Sequence, residues 1–450
     1  MVFSSSIFVF IFMPIMLLTY FVVFSKSIEI SWKNYILLFW SIIFYGWGGI
    51  KALLILILLV LINYILAVYM RKFPDSKRFF LGLAIGIDLL NLIYFKYYNF
   101  LTENFQRFFS MILDRDIIWN INTIALPIGI SFFTFQIISY IIDVYREDVK
   151  VQKNPAKLML YVMMFPQLVA GPIVRYKDVS GEIEYRVIKK NQVDQGTKRF
   201  ILGFSKKVFL ANSMGGIADV AFSSIGNLNS IYAWLGAICY SLQIYYDFSA
   251  YSDMAIGLGL ILGFHFNENF NYPYISRSIK EFWRRWHISL SSWFRDYVYI
   301  PLGGNRKGKL RTYLNLLVVF LLTGIWHGAA WQFVFWGIYH GLFLVLERTN
   351  WGMILKKLPG WFQHLYVCMI VIIGWVFFRA DTIKDALLYL KCMFVIDVSS
   401  FKNMELITKI DHIFIMCFLV SIIGIAPVFN TISKVKILKY EFIIYCSTSL

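Results

Sequence analysis

Charge is scarce in this chain. Only 15% of its 450 residues are charged, while 59% are hydrophobic and 19% aromatic. Soluble domains carry about 25% charged residues, so a soluble globular protein is excluded and a polytopic membrane protein is expected. Cysteine is scarce too. Cys239, Cys368, Cys392, Cys417 and Cys446 form no CxxC pair and most lie in apolar runs. They read as small buried hydrophobes, which argues against a disulfide framework or a thiol metal site. There is no HExxH, no Cys/His cluster and no acidic triad, so no metal is expected. The opening MVFSSSIFVFIFMPIMLLTYF lacks a basic leader and a small-residue cleavage site, and reads as a retained membrane helix. Internal repeats, low-complexity tracts and a soluble domain are likewise absent.

Acidic residues are the scarcer sign: 26 Asp and Glu against 43 Lys and Arg leave a net charge of +17. The basic residues fall in short loops between apolar runs, where the positive-inside bias puts them, and not in a basic domain that would bind nucleic acid. Lys26 and Lys33, then Arg71, Lys72, Lys77 and Arg78, then Arg146, Lys150, Lys153 and Lys157 follow successive runs. All are cytoplasmic if the N-terminus is outside.

Unbroken runs such as Ala52–Tyr69 come early in the chain, where Phe79–Tyr98 is a further apolar run. Leu158–Ile173 is short and holds Pro166, Gly171 and Pro172, yet separates two basic stretches. It is expected to be re-entrant, a geometry tolerated only in protein or along a cavity. Ile117–Tyr145 is interrupted by Pro127 and Gly129, Ile231–Phe264 carries Asp247 and Asp253, and Tyr313–Leu346 carries Gly324, His327, Gly328 and His340. The expected fold is all-α, with roughly ten crossings plus re-entrant pieces around a central cavity. Glu441–Leu450 is too short to span.

Two histidines stand out among six. His327 lies in Trp326-His327-Gly328-Ala329-Ala330-Trp331, where small residues permit close approach and Trp326 and Trp331 offer rigid apolar walls. His287 follows Trp283-Arg284-Arg285-Trp286. Intramembrane imidazole is costly and suited to proton transfer; the competing reading is a core histidine bonded to a neighbouring helix. Arg284 and Arg285 suit a phosphate-bearing donor at the mouth of a cavity, or ordinary snorkelling. Asp247 and Asp253 are six apart, about 120° from a shared face, so pairing with cations competes with any donor contact by Asp247. For His340 two readings stand: it lines the same cavity as His327, or it packs in a polar core. Gly303-Gly304-Asn305-Arg306-Lys307-Gly308 lacks phosphate-loop spacing and reads as a tight turn.

At these motifs the chain resembles the membrane-bound O-acyltransferase family, and within it the branch that O-acetylates extracytoplasmic polysaccharides. The resemblance runs through LPIGISFFTFQIISYIIDVYR (Leu126–Arg146), FPQLVAGPIVRY (Phe165–Tyr176) and YYDFSAYSDMAIGLGLILGF (Tyr245–Phe264). It continues in NYPYISRSIKEFWRRWHISLSSWFRDYVYIPLGGNR (Asn271–Arg306) and GIWHGAAWQFVFWGIYHG (Gly324–Gly341). Proteins that transfer D-alanine to teichoic acid share related signatures, but IPLGGNR points to the acetylating group.

The resemblance implies one integral membrane domain over residues 1–450, with peripheral helices over 1–116, a catalytic core over 117–346 and C-terminal helices over 347–450. It implies a helical wall around a central tunnel in a bacterial cytoplasmic membrane. His327 would be the catalytic residue and His287 its upstream support. Trp326, Trp331, Arg284, Arg285, Asp247 and His340 are donor-side candidates. The expected donor is acetyl-CoA, used as substrate with no bound cofactor. Expected partners are membrane lipids, a cell-envelope polysaccharide and an extracytoplasmic SGNH hydrolase-like protein. D-alanyl transfer on the same fold is the alternative. A proton-coupled transporter fits less well, since the inverted repeats of many transporters are missing.

Overall fold

The structure, a computed structural model, describes residues 1–21, 30–116, 119, 123–395 and 404–428. Lys26, Cys446 and Glu441–Leu450 lie outside the described residues. Every regular element among the described residues is a helix.

The long early run folds as expected. Helix α1 (Ile50–Lys72) has 23 residues, about 34 Å at 1.5 Å per residue, enough to cross a hydrocarbon core of about 30 Å. Its last turn carries Arg71 and Lys72, which suit both the negative end of the helix and a basic loop. Helix α2 (Lys77–Leu92) follows. It passes through a π-turn at Ile93–Tyr97 into α3 (Tyr98–Leu113), giving one helical stretch over Pro74–Leu113. The apolar run ends at Tyr98, so α3 was not foreseen; it is amphipathic, and hydropathy alone does not mark such a helix. Asn63 of α1 donates to Asp88 Oδ1 of α2 at 2.8 Å, pairing two buried polar side chains within the apolar layer.

The broken runs resolve into short pieces. Gly129 adopts φ +78, and a Cβ there would lie 2.6 Å from Leu168 O, so the chain turns at glycine and α4 (Ile130–Tyr145) begins directly after it. Twelve of the 16 residues of α4 are buried. Leu158–Ile173 forms no single crossing helix. It gives a nine-residue helix over Pro155–Met163, a break at Met164 and one turn over Phe165–Leu168. Residues 160–168 are buried throughout. Ile231–Phe264 becomes one helix, α5 (Ser230–Leu262). Tyr313–Leu346 divides into α6 (Gly308–His327) and α7 (Trp331–Leu346). Further on, α8 (Gly360–Arg379) has 20 residues.

Among the described residues, four helical stretches are long and apolar enough to cross a membrane: α1, Pro74–Leu113, α6 and α8. Phe8–Phe21, α4, α7 and His412–Gly424 are shorter apolar helices.

The chain divides into two compact units. One comprises Met1–Ser205, Phe248–Asn269 and Ser289–Gly341; the other comprises Lys206–Asp247, Phe270–Ile288 and the described part of Leu342–Leu450. The first is centred on aromatic packing of Phe165 against Phe3, Phe8, Phe12 and Phe44, with ring centroids 5.5–6.3 Å apart. In the second, Trp286 packs on Phe282 and Trp375, at 5.6 and 4.9 Å. There Tyr274 donates its hydroxyl to Ser241 O at 2.5 Å and accepts from Trp375 Nε1 at 3.1 Å.

Candidate active site

In the first unit, α6 and α7 form a hairpin held by glycine. A Cβ on Gly324 would lie 2.2 Å from Phe333 O, and one on Gly337 would lie 2.3 Å from Phe320 O. Only glycine allows these backbones to approach so closely. The hairpin repeats a short frame: GIWHG over Gly324–Gly328 on α6 and GIYHG over Gly337–Gly341 on α7. The two histidines differ in setting. His327 is the last residue of α6, and Gly328 after it is extended at φ −163. His327 is only partly buried, whereas His340, inside α7, has no exposed surface. Both flank the fully buried Trp336: the His327 ring lies 5.2 Å from it at 86°, and the His340 ring 5.1 Å at 69°.

The end of α6 is gripped from the π-turn before α3. The last carbonyls of a helix have no partner within it, and unmet backbone groups cost several kcal/mol in hydrocarbon. Here Tyr97 donates its hydroxyl to Ile325 O at 2.6 Å, and Lys96 donates to Trp326 O. The same ammonium donates to Ser131 Oγ in the first turn of α4 at 2.8 Å and lies 5.6 Å from the Trp326 ring centroid. A cation at a partly buried helix C-terminus contributes up to about 2 kcal/mol.

Trp326 is buried between Phe132 and Phe135, each 5.5 Å away. Trp331 is not. It is 54% exposed, stands 5.6 Å from Phe100 and donates its indole N–H to Asn104 Oδ1 at 2.9 Å. The reason is α3, which supplies a polar partner at the surface.

Also in the first unit, Ser289 Oγ accepts from Ile173 N at 2.9 Å and donates to Asn269 Oδ1 at 2.9 Å. Asn269 in turn donates to Ser252 Oγ at 3.1 Å. The start of Ile288–Phe294 is thereby tied to the buried segment after Gly171.

The second unit holds His287, Arg284, Arg285 and Asp247. His287 is 1% exposed and sits at φ +43, between the helices Ile279–Arg285 and Ile288–Phe294. A non-glycine residue held there costs about 1–3 kcal/mol, and such strain clusters at functional positions. Arg285 is bound to Glu281 at 2.9 Å and to Asn271 O at 3.1 Å, while Arg284 is exposed. Glu347 caps the Ile279–Arg285 helix, accepting from the amides of Ile279 at 2.6 Å and Lys280 at 3.0 Å. Burial raises the Glu347 carboxyl above its ordinary range against these two bonds. Lys280 is lowered by burial and then by Arg284, Arg348 and Lys356, with Glu347 opposing, which marks a concentrated positive field. Asp247 pairs with Lys207 at 2.7 Å, and in the first unit Asp253 pairs with Arg199 at 2.9 Å. The two carboxylates therefore serve separate cations, as their spacing implied.

Thus His327, His340, Trp326 and Trp331 share one hairpin, while Asp247 and Arg285 have separate ion-pair partners. Reading the sequence missed Lys96, Tyr97, Ser289 and Trp336. Lys96 alone had a signal, a cation inside the apolar run Phe79–Tyr98.

The family model for the membrane-bound O-acyltransferase family matches residues 146–379. The chain belongs to that family and is an integral membrane O-acyltransferase. It is 42% identical over 397 residues to a Pseudomonas aeruginosa protein named "Probable alginate O-acetylase AlgI", covering 88% of this chain and 75% of that one. It is 33% identical to the peptidoglycan O-acetyltransferase of Helicobacter pylori, covering 87% and 80%. It is 30% identical to the teichoic acid D-alanyltransferase of Bacillus subtilis, over 52% of this chain and 62% of that protein.

Proposed function

We propose that the protein takes an acetyl group from cytoplasmic acetyl-CoA and passes it across the membrane for O-acetylation of a cell-envelope polysaccharide. The observation that carries this reading is His327, the partly exposed end of a crossing-length helix at a glycine break, within the residues that the family model matches. The nitrogen of a neutral imidazole there accepts the proton of an acceptor hydroxyl while the hydroxyl oxygen attacks the thioester carbonyl; the carbon–sulfur bond breaks, the imidazolium returns the proton to the departing thiolate, and coenzyme A leaves as the free thiol. Transient acylation of His327 is the variant of the same scheme. His287 orients the thioester or His327. Arg284 and Arg285 hold the donor's phosphates, supported by the positive field at Lys280.

In this reading residues 1–450 form a single domain, cored by 117–346, with roughly ten crossings and re-entrant segments around a tunnel. It lies in a bacterial cytoplasmic membrane with the N-terminus outside. An SGNH hydrolase-like partner finishes transfer to the polymer. The acetyl reading is preferred over D-alanyl transfer because the acetylase relatives align over most of this chain and the D-alanyltransferase over about half.

The test is thiol release from acetyl-CoA by purified protein in detergent, with candidate acceptors added. His327→Ala is expected to lower turnover on the order of 100-fold or more, and His287→Ala to lower it more than Cys239→Ala. Full turnover in His327→Ala overturns the assignment of the base. Equal effects at His287 and Cys239 would reduce His287 to a structural role.

A further inference from the structure

We propose that Lys96 is a positioning residue for His327, a role that rests on reading His327 as the catalytic base. Two consecutive residues, Lys96 and Tyr97, bind two consecutive carbonyls, Trp326 O and Ile325 O, immediately before His327. They reach both from the π-turn Ile93–Tyr97, a local widening of the helix frequent at functional sites. Ser131 of α4 holds the same ammonium at 2.8 Å, and the Trp326 ring lies 5.6 Å below it. Lys96 therefore joins three elements, the π-turn, α4 and the end of α6, at the residue before the imidazole.

A carbonyl needs no cation to be satisfied, as Tyr97 demonstrates with a neutral hydroxyl on the adjacent one. An ammonium in an apolar layer is costly. Its use here fixes the orientation of the last peptide of α6, whose carbonyl belongs to the residue before His327. The glycine contacts of Gly324 and Gly337 hold the shaft of α6 against α7. Beyond them the helix ends at Gly328, and Lys96 and Tyr97 take over the holding.

The experiment uses the full chain in detergent and two readouts. The first is the rate of His327 carbethoxylation by diethyl pyrocarbonate, followed by mass spectrometry, which needs no substrate. The second is acetyl-CoA turnover, resolved into kcat and KM. Lys96→Met is expected to change the His327 modification rate at least several-fold. It is also expected to lower kcat on the order of 10- to 100-fold, as for a displaced catalytic group, with KM little changed; Lys96→Arg restores most of both. Unchanged modification and unchanged kcat in folded Lys96→Met overturn the proposal. If Lys96→Met does not fold, Tyr97→Phe and Ser131→Ala decide: altered His327 reactivity in either supports the proposal, and unaltered reactivity in both overturns it. Altered reactivity in Lys96→Met together with full turnover in His327→Ala would keep the positioning role and refute His327 as the base.

Discussion

Asp296 sits between two guanidinium groups: Arg175 Nη1 lies 2.7 Å from Oδ2 and Arg295 Nε lies 2.6 Å from Oδ1. Burial acts to raise its carboxyl, but the bonds from Arg295 and Arg175 outweigh it and hold the group below the ordinary range. A carboxyl lowered on folding contributes stability above its unfolded value, about 3.9, and that contribution is lost as pH falls through the lower folded value. The wild type is therefore expected to lose more thermal stability than Asp296→Asn when acidified from about pH 5 to about pH 3; parallel losses would remove Asp296 from this role. Single residues of this kind were the least legible in the sequence. His327 and His287 stand out as candidates because each is an ionisable ring in or beside an apolar run. Lys96 pairs with Trp326 from 230 positions away, and nothing in local spacing announces such a partner. The exposure of Trp331 was likewise hidden, because its partner Asn104 lies on a helix the hydropathy pattern did not show.

Among elements, the α6–α7 hairpin makes the sharpest demand on sequence. Gly337→Leu would place a Cβ 2.3 Å from Phe320 O, whereas Gly82 on α2 has nothing within 4 Å of its Cβ position. Gly337→Leu is expected to cost about 3 kcal/mol by overpacking and to lower the melting temperature in detergent, while Gly82→Leu leaves it within a degree or two. Similar melting temperatures for the two would mean the hairpin opens freely. Long uninterrupted elements such as α1 were legible from run length. So were interruptions at Pro127–Gly129 and at Gly171, since glycine and proline are punctuation the chain cannot disguise. The continuation from Tyr98 to Leu113 was not, because an amphipathic helix alternates polar and apolar residues and raises no long hydrophobic signal.

For the molecule as a whole, the proposed orientation, with the basic loops cytoplasmic, has a direct test. With the five native cysteines replaced, Lys150→Cys is expected to react with a membrane-impermeant maleimide in inside-out vesicles and not in right-side-out ones. The reverse pattern would invert the topology and with it the direction of acyl transfer. The class of protein was legible from the scarcity of charge alone, and the family from ordered motifs; the division into two compact units was not, because both draw on several separated stretches of chain. The repeated frame in α6 and α7 has one more consequence. His327 and His340 share the same flanking Gly and Ile residues and the same tryptophan neighbour, but only His327 stands where the helix stops. The molecule thus carries its own blank: in any labelling or spectroscopic time course, His340 reports what the surroundings do to an enclosed ring, and the difference at His327 belongs to the break.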